Sequence, residues 1–134
     1  MTAQTIYPFL RYEDARAALS WLERAFGATP GLVVDGAGDT VAHAQVDVAG
    51  GIVMLGSAAD DSLGMVSPRA AGGVTQGIYV AIDDADGHHA RAAAAGAEIV
   101  RPPADTDYGS REYLARDLEG NLWSFGTYRP EPGE

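Results

Sequence analysis

The chain has 134 residues, of which 46% are hydrophobic and 21% charged, the size and composition of one globular domain. Nine basic residues, all arginine, against nineteen acidic ones give a net charge of −10, which disfavours nucleic-acid binding because phosphate contacts need basic side chains. The absence of cysteine excludes disulfides, thiolate metal sites and cysteine nucleophiles. No apolar run approaches transmembrane length and no apolar leader is recognisable, so we expect a soluble, cytoplasmic protein with no membrane partner.

The first part of the chain predicts a strand, a helix and three further strands. Asp14 is a typical N-cap residue, and Gly27 is a typical residue at a helix end. Glycine-containing turns separate the short apolar runs that follow, as in β-hairpins. The predicted elements are a strand over 5–12, a helix over 15–26, and strands over 31–35, 40–48 and 52–56.

The second part repeats this order after an irregular segment. Residues 58–74 show no clear period, and such a segment is typical of either a linker or a functional lid. Asp84 is a candidate N-cap for a helix that runs to Gly96. The predicted strands cover 76–82, 97–101, 111–116 and 122–127, and residues 129–134 form a frayed tail.

An internal repeat with an offset of 70 residues connects the two parts. Asp47, Gly50 and Leu55-Gly56-Ser57 align with Asp117, Gly120 and Phe125-Gly126-Thr127 without gaps. The repeat predicts an α+β fold of two tandem β-α-β-β-β modules. We expect a single domain over 1–134, with module one over about 5–57, a connecting loop over 58–74 and module two over about 75–128.

Two motifs resemble the vicinal oxygen chelate superfamily, which contains glyoxalases, extradiol dioxygenases and bleomycin-resistance proteins. The closing segment, Tyr108-Gly-Ser-Arg-Glu-Tyr113 followed by Asp117-x-x-Gly-Asn-Leu-Trp-Ser-Phe-Gly126, is similar to the bleomycin-resistance-like branch. The opening Leu10-Arg-x-x-Asp14, with Trp21-Leu22 and Phe26-Gly27, resembles the first strand and helix of the superfamily. The resemblance implies a mixed sheet that curls around a cleft, with the helices outside.

The same resemblance implies positions for a divalent metal. Its metalloenzymes bind the ion through the first and last strand of each module, with His or Gln and then Glu. These positions align with Tyr7, Met54, Gly77 and Ser124, and no residue among them is a good ligand for a hard or borderline dication. We therefore expect no metal and no cofactor.

Strand alternation predicts which side chains face the cleft. Ile78, Val80 and Ile82 form an apolar set that packs under a helix, which turns Tyr79 the other way. On the strand over 40–48, Ala42, Ala44, Val46 and Val48 form the helix-facing set, and the repeat places Tyr113 in correspondence with His43. The predicted ligand-binding residues are Tyr7, Phe9, His43, Gln45, Met54, Tyr79, Arg111, Tyr113 and Ser124.

Several of these residues also have structural interpretations. His43 is either a hydrogen-bonded strand histidine or a ligand contact. Tyr79 and Tyr113 are either strand-forming residues or walls of the pocket. Arg111 either cross-links strands or binds a carboxylate of the ligand. Trp123 and Phe125 have helix-facing parity and are expected in the core, and Asp47 and Asp117 are expected to shape turns. His88 is expected to face solvent, and His88 and His89 cannot converge on one metal.

Three functions fit this reading. The first is a metal-free small-molecule-binding protein of the bleomycin-resistance-like type, an antibiotic-resistance role, which sequesters an aromatic or cationic compound. The second is a glyoxalase-family enzyme of lyase, isomerase or dioxygenase type in which His43 is the catalytic acid or base, with or without a non-standard metal site. The third is a dimeric scaffold with a vestigial site. A homodimer is expected in each case, because the family and the exposed strand edges favour pairing.

Overall fold

A computed structural model describes residues 4–133 and contains two helix-and-sheet modules joined by a short connecting segment. Module one contains β1 (Phe9–Tyr12), α1 (Ala15–Phe26), β2 (Thr29–Asp35), β3 (Val41–Val48) and β4 (Gly51–Ser57). The connecting segment contains α2 (Pro68–Ala71). Module two contains β5 (Gly77–Ala81), α3 (Ala85–Ala94), β6 (Glu98–Asp105), β7 (Arg111–Arg116) and β8 (Leu122–Gly126).

Each module forms its own four-stranded mixed sheet, in the orders β1-β4-β3-β2 and β5-β8-β7-β6. The first strand of each module is parallel to the last, and the other two neighbouring pairs are antiparallel. In both modules the strands lie in the order first, fourth, third, second. This shared order confirms the predicted α+β fold of tandem β-α-β-β-β modules. The two sheets are not joined into one closed sheet.

α1 and α3 begin where the capping residues predict, and α1 also ends at its predicted glycine, whereas α3 ends at Ala94, before the predicted Gly96. Asp14 accepts a hydrogen bond from the amide of Ala17 at 3.1 Å, and Asp84 accepts one from the amide of Gly87 at 3.0 Å. Gly27 ends α1 in the left-handed conformation, with φ of 69°. The longest helix has 12 residues, and no helix within residues 4–133 is long and apolar enough to cross a membrane.

The core lies between α1 and α3 and the helix-facing sides of both sheets. Phe26 of α1 packs against Trp123 and Phe125 of β8, with ring centroids 5.3 and 4.7 Å apart. The indole of Trp21 donates a hydrogen bond of 2.9 Å to the carbonyl of Ala95, just after α3. Trp123 and Phe125 are fully buried, as their parity predicts, so a single hydrophobic core contains residues of both modules.

The two equivalent hairpins differ by one residue, and this difference changes the repeat offset. In module one, Val48 pairs with Gly51, so the turn has two residues, Ala49 and Gly50. In module two, the amide of Asp117 bonds to the carbonyl of Asn121, which leaves a three-residue turn. The last strands therefore correspond at an offset of 70, as Met54 and Ser124 do, but β3 and β7 correspond at an offset of 69.

Strand boundaries differ from the sequence prediction at two places with clear causes. β1 begins at Phe9 and not near residue 5, because the side-chain amide of Gln4 bonds to both the amide and the carbonyl of Ile52, the groups a longer strand would use. β6 extends to Asp105 through Pro102 and Pro103. This extension is possible because β6 is an edge strand, where the missing proline N–H groups need no partner.

The connecting segment is held against both modules. The hydroxyl of Ser67 donates to the carboxylate of Glu13, and Arg69 donates to the carbonyl of Leu118 at 2.9 Å. Arg11 forms an ion pair with Asp61 at 2.9 Å. The short helix α2 was not expected from the sequence; Ser67 caps it and Pro68 occupies its first turn.

Candidate functional site

The side of sheet one that faces away from α1 carries a row of apolar and amide side chains. Phe9 and Met54 are register partners in β1 and β4, and Gln45 pairs with Met54 from β3. Phe9 is 53% exposed, whereas Met54 and Gln45 are half-buried. His43 is on the same face, and its Nε2 lies 3.2 Å from the amide oxygen of Gln45. Phe9, His43, Gln45 and Met54 therefore lie together on one open face, as predicted.

The helix-facing set of β3 departs from the prediction at one residue. Ala44, Val46 and Val48 are buried, but Ala42 is exposed and Val41 is buried in its place. The cause is an irregularity in the β2–β3 pairing between Val34 and Asp35, which shifts the alternation at the start of β3.

The corresponding face of sheet two has a different chemistry. Tyr79 and Ser124 are register partners, and Leu114 pairs with Ser124 from β7. The hydroxyl of Tyr79 donates to the carbonyl of Tyr128 at 2.7 Å, and partial burial raises the pKa of this phenol above its ordinary value. Glu112, two residues before Leu114 in β7 and on the same face, accepts hydrogen bonds of 3.0 Å from the Tyr108 hydroxyl at both carboxylate oxygens. This face is thus aromatic and acidic, whereas the other is apolar and neutral.

A groove of about 790 Å³ runs between the outer edges of β1 and β5. Both strands present aromatic side chains to it, and the connecting segment supplies a third side with Met65, Val66 and Pro68. Tyr7 lies at one end, with its hydroxyl bonded to the carbonyl of Gln4 at 2.8 Å. The groove brings together Tyr7, Phe9 and Tyr79 from the predicted set, whereas His43, Gln45 and Ser124 do not line it.

The four positions implied for a metal do not form a metal site. Met54 and Ser124 are on the open faces of their sheets, Gly77 has no side chain, and the Tyr7 hydroxyl is already bonded to a backbone carbonyl. A thioether and a neutral hydroxyl are poor ligands for hard or borderline dications. Within residues 4–133, no group of three or more His, Asp or Glu side chains is arranged to hold an ion. The donor set does not fit the ion that the resemblance implies.

Tyr113 is not in the cleft, contrary to the prediction. It is fully buried on the helix side of sheet two, and its hydroxyl lies 2.5 Å from Nδ1 of His88. Burial raises its pKa well above the ordinary value. The error follows from the extra turn residue in module two, because at the true offset of 69 Tyr113 corresponds to Ala44 and Glu112 corresponds to His43.

Arg111 follows its structural interpretation and not the alternative of a ligand contact, and His88 is placed differently from the prediction. Arg111 has helix-side parity and forms ion pairs with Asp86 of α3 at 3.0 Å and Asp105 of β6 at 3.1 Å, so it cross-links elements and does not face the cleft. His88 does not face solvent. Its Nε2 donates to the carbonyl of Phe26 at 3.2 Å, so in the neutral ring Nδ1 accepts from Tyr113. Burial lowers its pKa below the ordinary value.

Sequence reasoning missed Glu112, Tyr108 and Tyr128 as surface features of sheet two. Tyr108 and Glu112 stand inside the motif that carried the family resemblance, but the repeat offset of 70 assigned no cleft position to Glu112. The sequence aligns Asp47 and Gly50 with Asp117 and Gly120 without a gap, so it carried no signal of the extra turn residue.

Comparison with known sequences gives one family. A sequence profile described as the Glyoxalase/Bleomycin resistance protein/Dioxygenase superfamily matches residues 4–125. The chain is 31% identical over 121 residues to an uncharacterized protein of Mycobacterium bovis, covering 89% of this chain and 80% of that protein. A protein of Mycobacterium tuberculosis matches at the same identity, with 71% of its length covered.

Comparison with solved structures gives the same fold. TioX from Micromonospora sp. ML1 is 37% identical, with a TM-score of 0.75 over 96% of this chain and 98% of that one. Glyoxalase I from Zea mays has a TM-score of 0.70 at 15% identity, over 96% of this chain and 46% of that one. The fosfomycin resistance protein FosX from Listeria monocytogenes has a TM-score of 0.65 at 18% identity, over 94% of this chain and 93% of that one.

Proposed function

This chain belongs to the glyoxalase/bleomycin resistance protein/dioxygenase superfamily, and from that premise we propose that it is a small-molecule-binding protein that holds an aromatic ligand without a metal. The observation that carries the proposal is the residue set at the four metal positions, Tyr7, Met54, Gly77 and Ser124. At the positions where the superfamily's metalloenzymes have metal ligands, this chain therefore has an aromatic, an apolar, a missing and a small neutral side chain.

The exposed aromatic side chains supply a binding surface. Phe9 is 53% exposed and Tyr79 36% exposed, and both line the groove between β1 and β5. Covering roughly 100 Å² of such surface with a planar ligand contributes about 2.5 kcal/mol at about 25 cal/mol per Å². Two such contacts contribute about 5 kcal/mol, and the loss of ligand and side-chain freedom reduces this sum, so these contacts alone support a dissociation constant of roughly 0.2 mM or weaker.

We extend the proposal to a homodimer in which a second copy covers the open faces. The edge strand β2 exposes three consecutive apolar side chains, Leu32, Val33 and Val34, and an apolar edge of this kind favours pairing with another chain. Sedimentation equilibrium tests this: a dimer is expected at tens of micromolar, and a monomer at that concentration contradicts it.

Titration with acridine, an uncharged planar aromatic compound in mildly alkaline buffer, tests the binding surface through the change in its fluorescence. Phe9→Ala and Tyr79→Ala are each expected to weaken binding about tenfold, which corresponds to about 1.4 kcal/mol of lost contact. Leu63→Ala is the matched control, because Leu63 is 60% exposed but does not line the groove. Equal affinity in all four proteins, or no binding to the unmodified chain, contradicts the proposal.

A second candidate, an enzyme in which His43 is the acid or base, has one observation in its favour. The Gln45 amide oxygen accepts from Nε2 of His43, which leaves Nδ1 of the neutral ring free to accept a proton from a ligand on the open face. If His43→Ala leaves binding of a compound intact but abolishes its turnover, the protein is an enzyme and the proposal of a binding protein without catalysis is wrong.

A further inference from the structure

Three tyrosines and one glutamate lie together at one end of the open face of sheet two. This tyrosine–glutamate cluster consists of Tyr79, Tyr108, Glu112 and Tyr128. Tyr108 reaches both oxygens of Glu112, and its ring meets that of Tyr128 nearly at a right angle, with centroids 5.8 Å apart. Tyr79 is tied to the same corner by its hydrogen bond to the Tyr128 carbonyl. Three aromatic rings and one carboxylate therefore meet at this corner of the sheet.

A glycine permits this arrangement. A Cβ on Gly126 of β8 would lie 2.6 Å from both the Tyr79 hydroxyl and the Cγ of Glu112, closer than atoms can approach. Tyr79 and Glu112 therefore cross over β8 from its two neighbouring strands because no side chain stands between them. The cluster is a property of the folded sheet, since its members come from β5, from β7, from the segment before β7 and from the segment after β8.

The carboxylate of Glu112 forms no ion pair with an arginine within residues 4–133. Ion pairs within residues 4–133 join Arg111 to Asp86 and Asp105, and Arg129 to Asp83, and no ion pair there includes Glu112. Arg111 is the neighbour of Glu112 in sequence, but strand alternation turns it to the helix side. Glu112 thus has a protein partner in Tyr108 and retains further acceptor positions on both oxygens.

We propose that the tyrosine–glutamate cluster binds the ammonium group of a ligand whose aromatic part lies against Tyr79. A cation above a tyrosine ring is attracted by the negative face of the ring, and a nearby carboxylate adds a direct charge interaction. The net charge of −10 attracts cations to this surface at long range. The inference rests on the proposed binding function and names its ligand class: aromatic amines and quaternary ammonium compounds.

The experiment compares two compounds of equal shape that differ in charge, meta-hydroxyphenyltrimethylammonium and meta-tert-butylphenol. Binding is followed by calorimetry and by the tyrosine ring resonances in NMR spectra. The unmodified protein is expected to bind the ammonium compound at least tenfold more tightly than the neutral one. Glu112→Gln is expected to remove most of this preference, while Glu23→Gln, the same change on the exposed side of α1, leaves it intact.

Tyr108→Ala provides a second variant that does not depend on the tolerance of β7, because Tyr108 is 60% exposed. It is expected to reduce the preference at least threefold. Equal affinity for the two compounds in the unmodified protein contradicts the ammonium site but leaves the proposed aromatic binding function standing. A preference that survives both Glu112→Gln and Tyr108→Ala places the cation elsewhere and refutes the inference. Failure of both compounds to bind overturns the inference and the proposed function together.

Discussion

Asp117 joins the two modules, and replacing it tests how the core is held. Its carboxylate accepts hydrogen bonds from the Tyr12 hydroxyl at 2.6 Å and the Trp123 indole at 3.1 Å. It also accepts bonds of 3.0 Å from the amides of Glu119 and Asn121. Burial, and then the adjacent carboxylate, raises the pKa of Tyr12 well above its ordinary value, so this phenol stays protonated and donates.

In the Asp117→Asn variant, the side-chain amide oxygen can still accept from the backbone amides. Its NH₂ group then faces two buried donors, the Tyr12 hydroxyl and the Trp123 indole N–H. Tyr12 and Trp123 are both fully buried, so neither donor can turn to water. A buried donor without an acceptor destabilises the fold by about 1–3 kcal/mol. The tyrosine hydroxyl can rotate and accept from the new amide, but the indole N–H cannot, so we expect a loss of about 3 kcal/mol in the free energy of unfolding.

The repeat provides the matched control. Asp47 occupies the equivalent place in the sequence repeat, before the turn of module one, where it is exposed and accepts one hydrogen bond of 2.8 Å from the amide of Gly50. Because an asparagine oxygen can still accept that bond, Asp47→Asn is expected to change stability by less than about 0.5 kcal/mol. Urea unfolding followed by tryptophan fluorescence measures both variants. Equal effects at the two positions would refute the reasoning that Asp117 has a cross-module role beyond its turn.

Three further predictions concern the turn of module one, the partly buried His88 and the metal content. Ala49 has φ of 53° in the two-residue turn, so Ala49→Gly is expected to raise the free energy of unfolding by about 0.5 kcal/mol, and destabilisation in urea contradicts this. Burial lowers the pKa of folded His88, so the unfolded chain takes up the proton first and stability falls as the pH drops below about 6.5; His88→Gln is expected to lose this acid sensitivity in unfolding titrations at several pH values. Elemental analysis of the purified protein is expected to find no stoichiometric divalent metal, because the donor set of Tyr7, Met54, Gly77 and Ser124 does not fit one.

The local elements follow from the sequence because their signals are local. The helix over Ala15–Phe26 has the predicted bounds, since Asp14 caps its first turn and Gly27 ends it. The repeat of turn and strand residues predicts the order of both modules, and the parity of Val80 and Phe125 predicts the core side of β5 and β8. Asp47 and Asp117 bond to the turn amides that follow them, as expected.

The composition of the open faces was decided by tertiary structure. A single extra residue in the second turn moves β7 by one position relative to the repeat, and because side chains alternate, one position exchanges the two faces of a strand. Tyr113 therefore enters the core, and Glu112 takes the open place. The offset of 70, which comes from the spacing shared by β4 and β8, therefore does not predict which side chains of β7 face the core.

The contact of Glu119 with the residues before α1 could not be predicted from local sequence either. Glu119 is buried, and its carboxylate accepts from the amides of Glu13 and Asp14 at 2.6 and 2.9 Å, just before α1 begins. These partners are separated by more than 100 positions in the chain. Their charge and spacing are visible in the sequence, but only packing of the two sheets on one core brings a turn of module two to the helix start of module one, where free N–H groups need an acceptor.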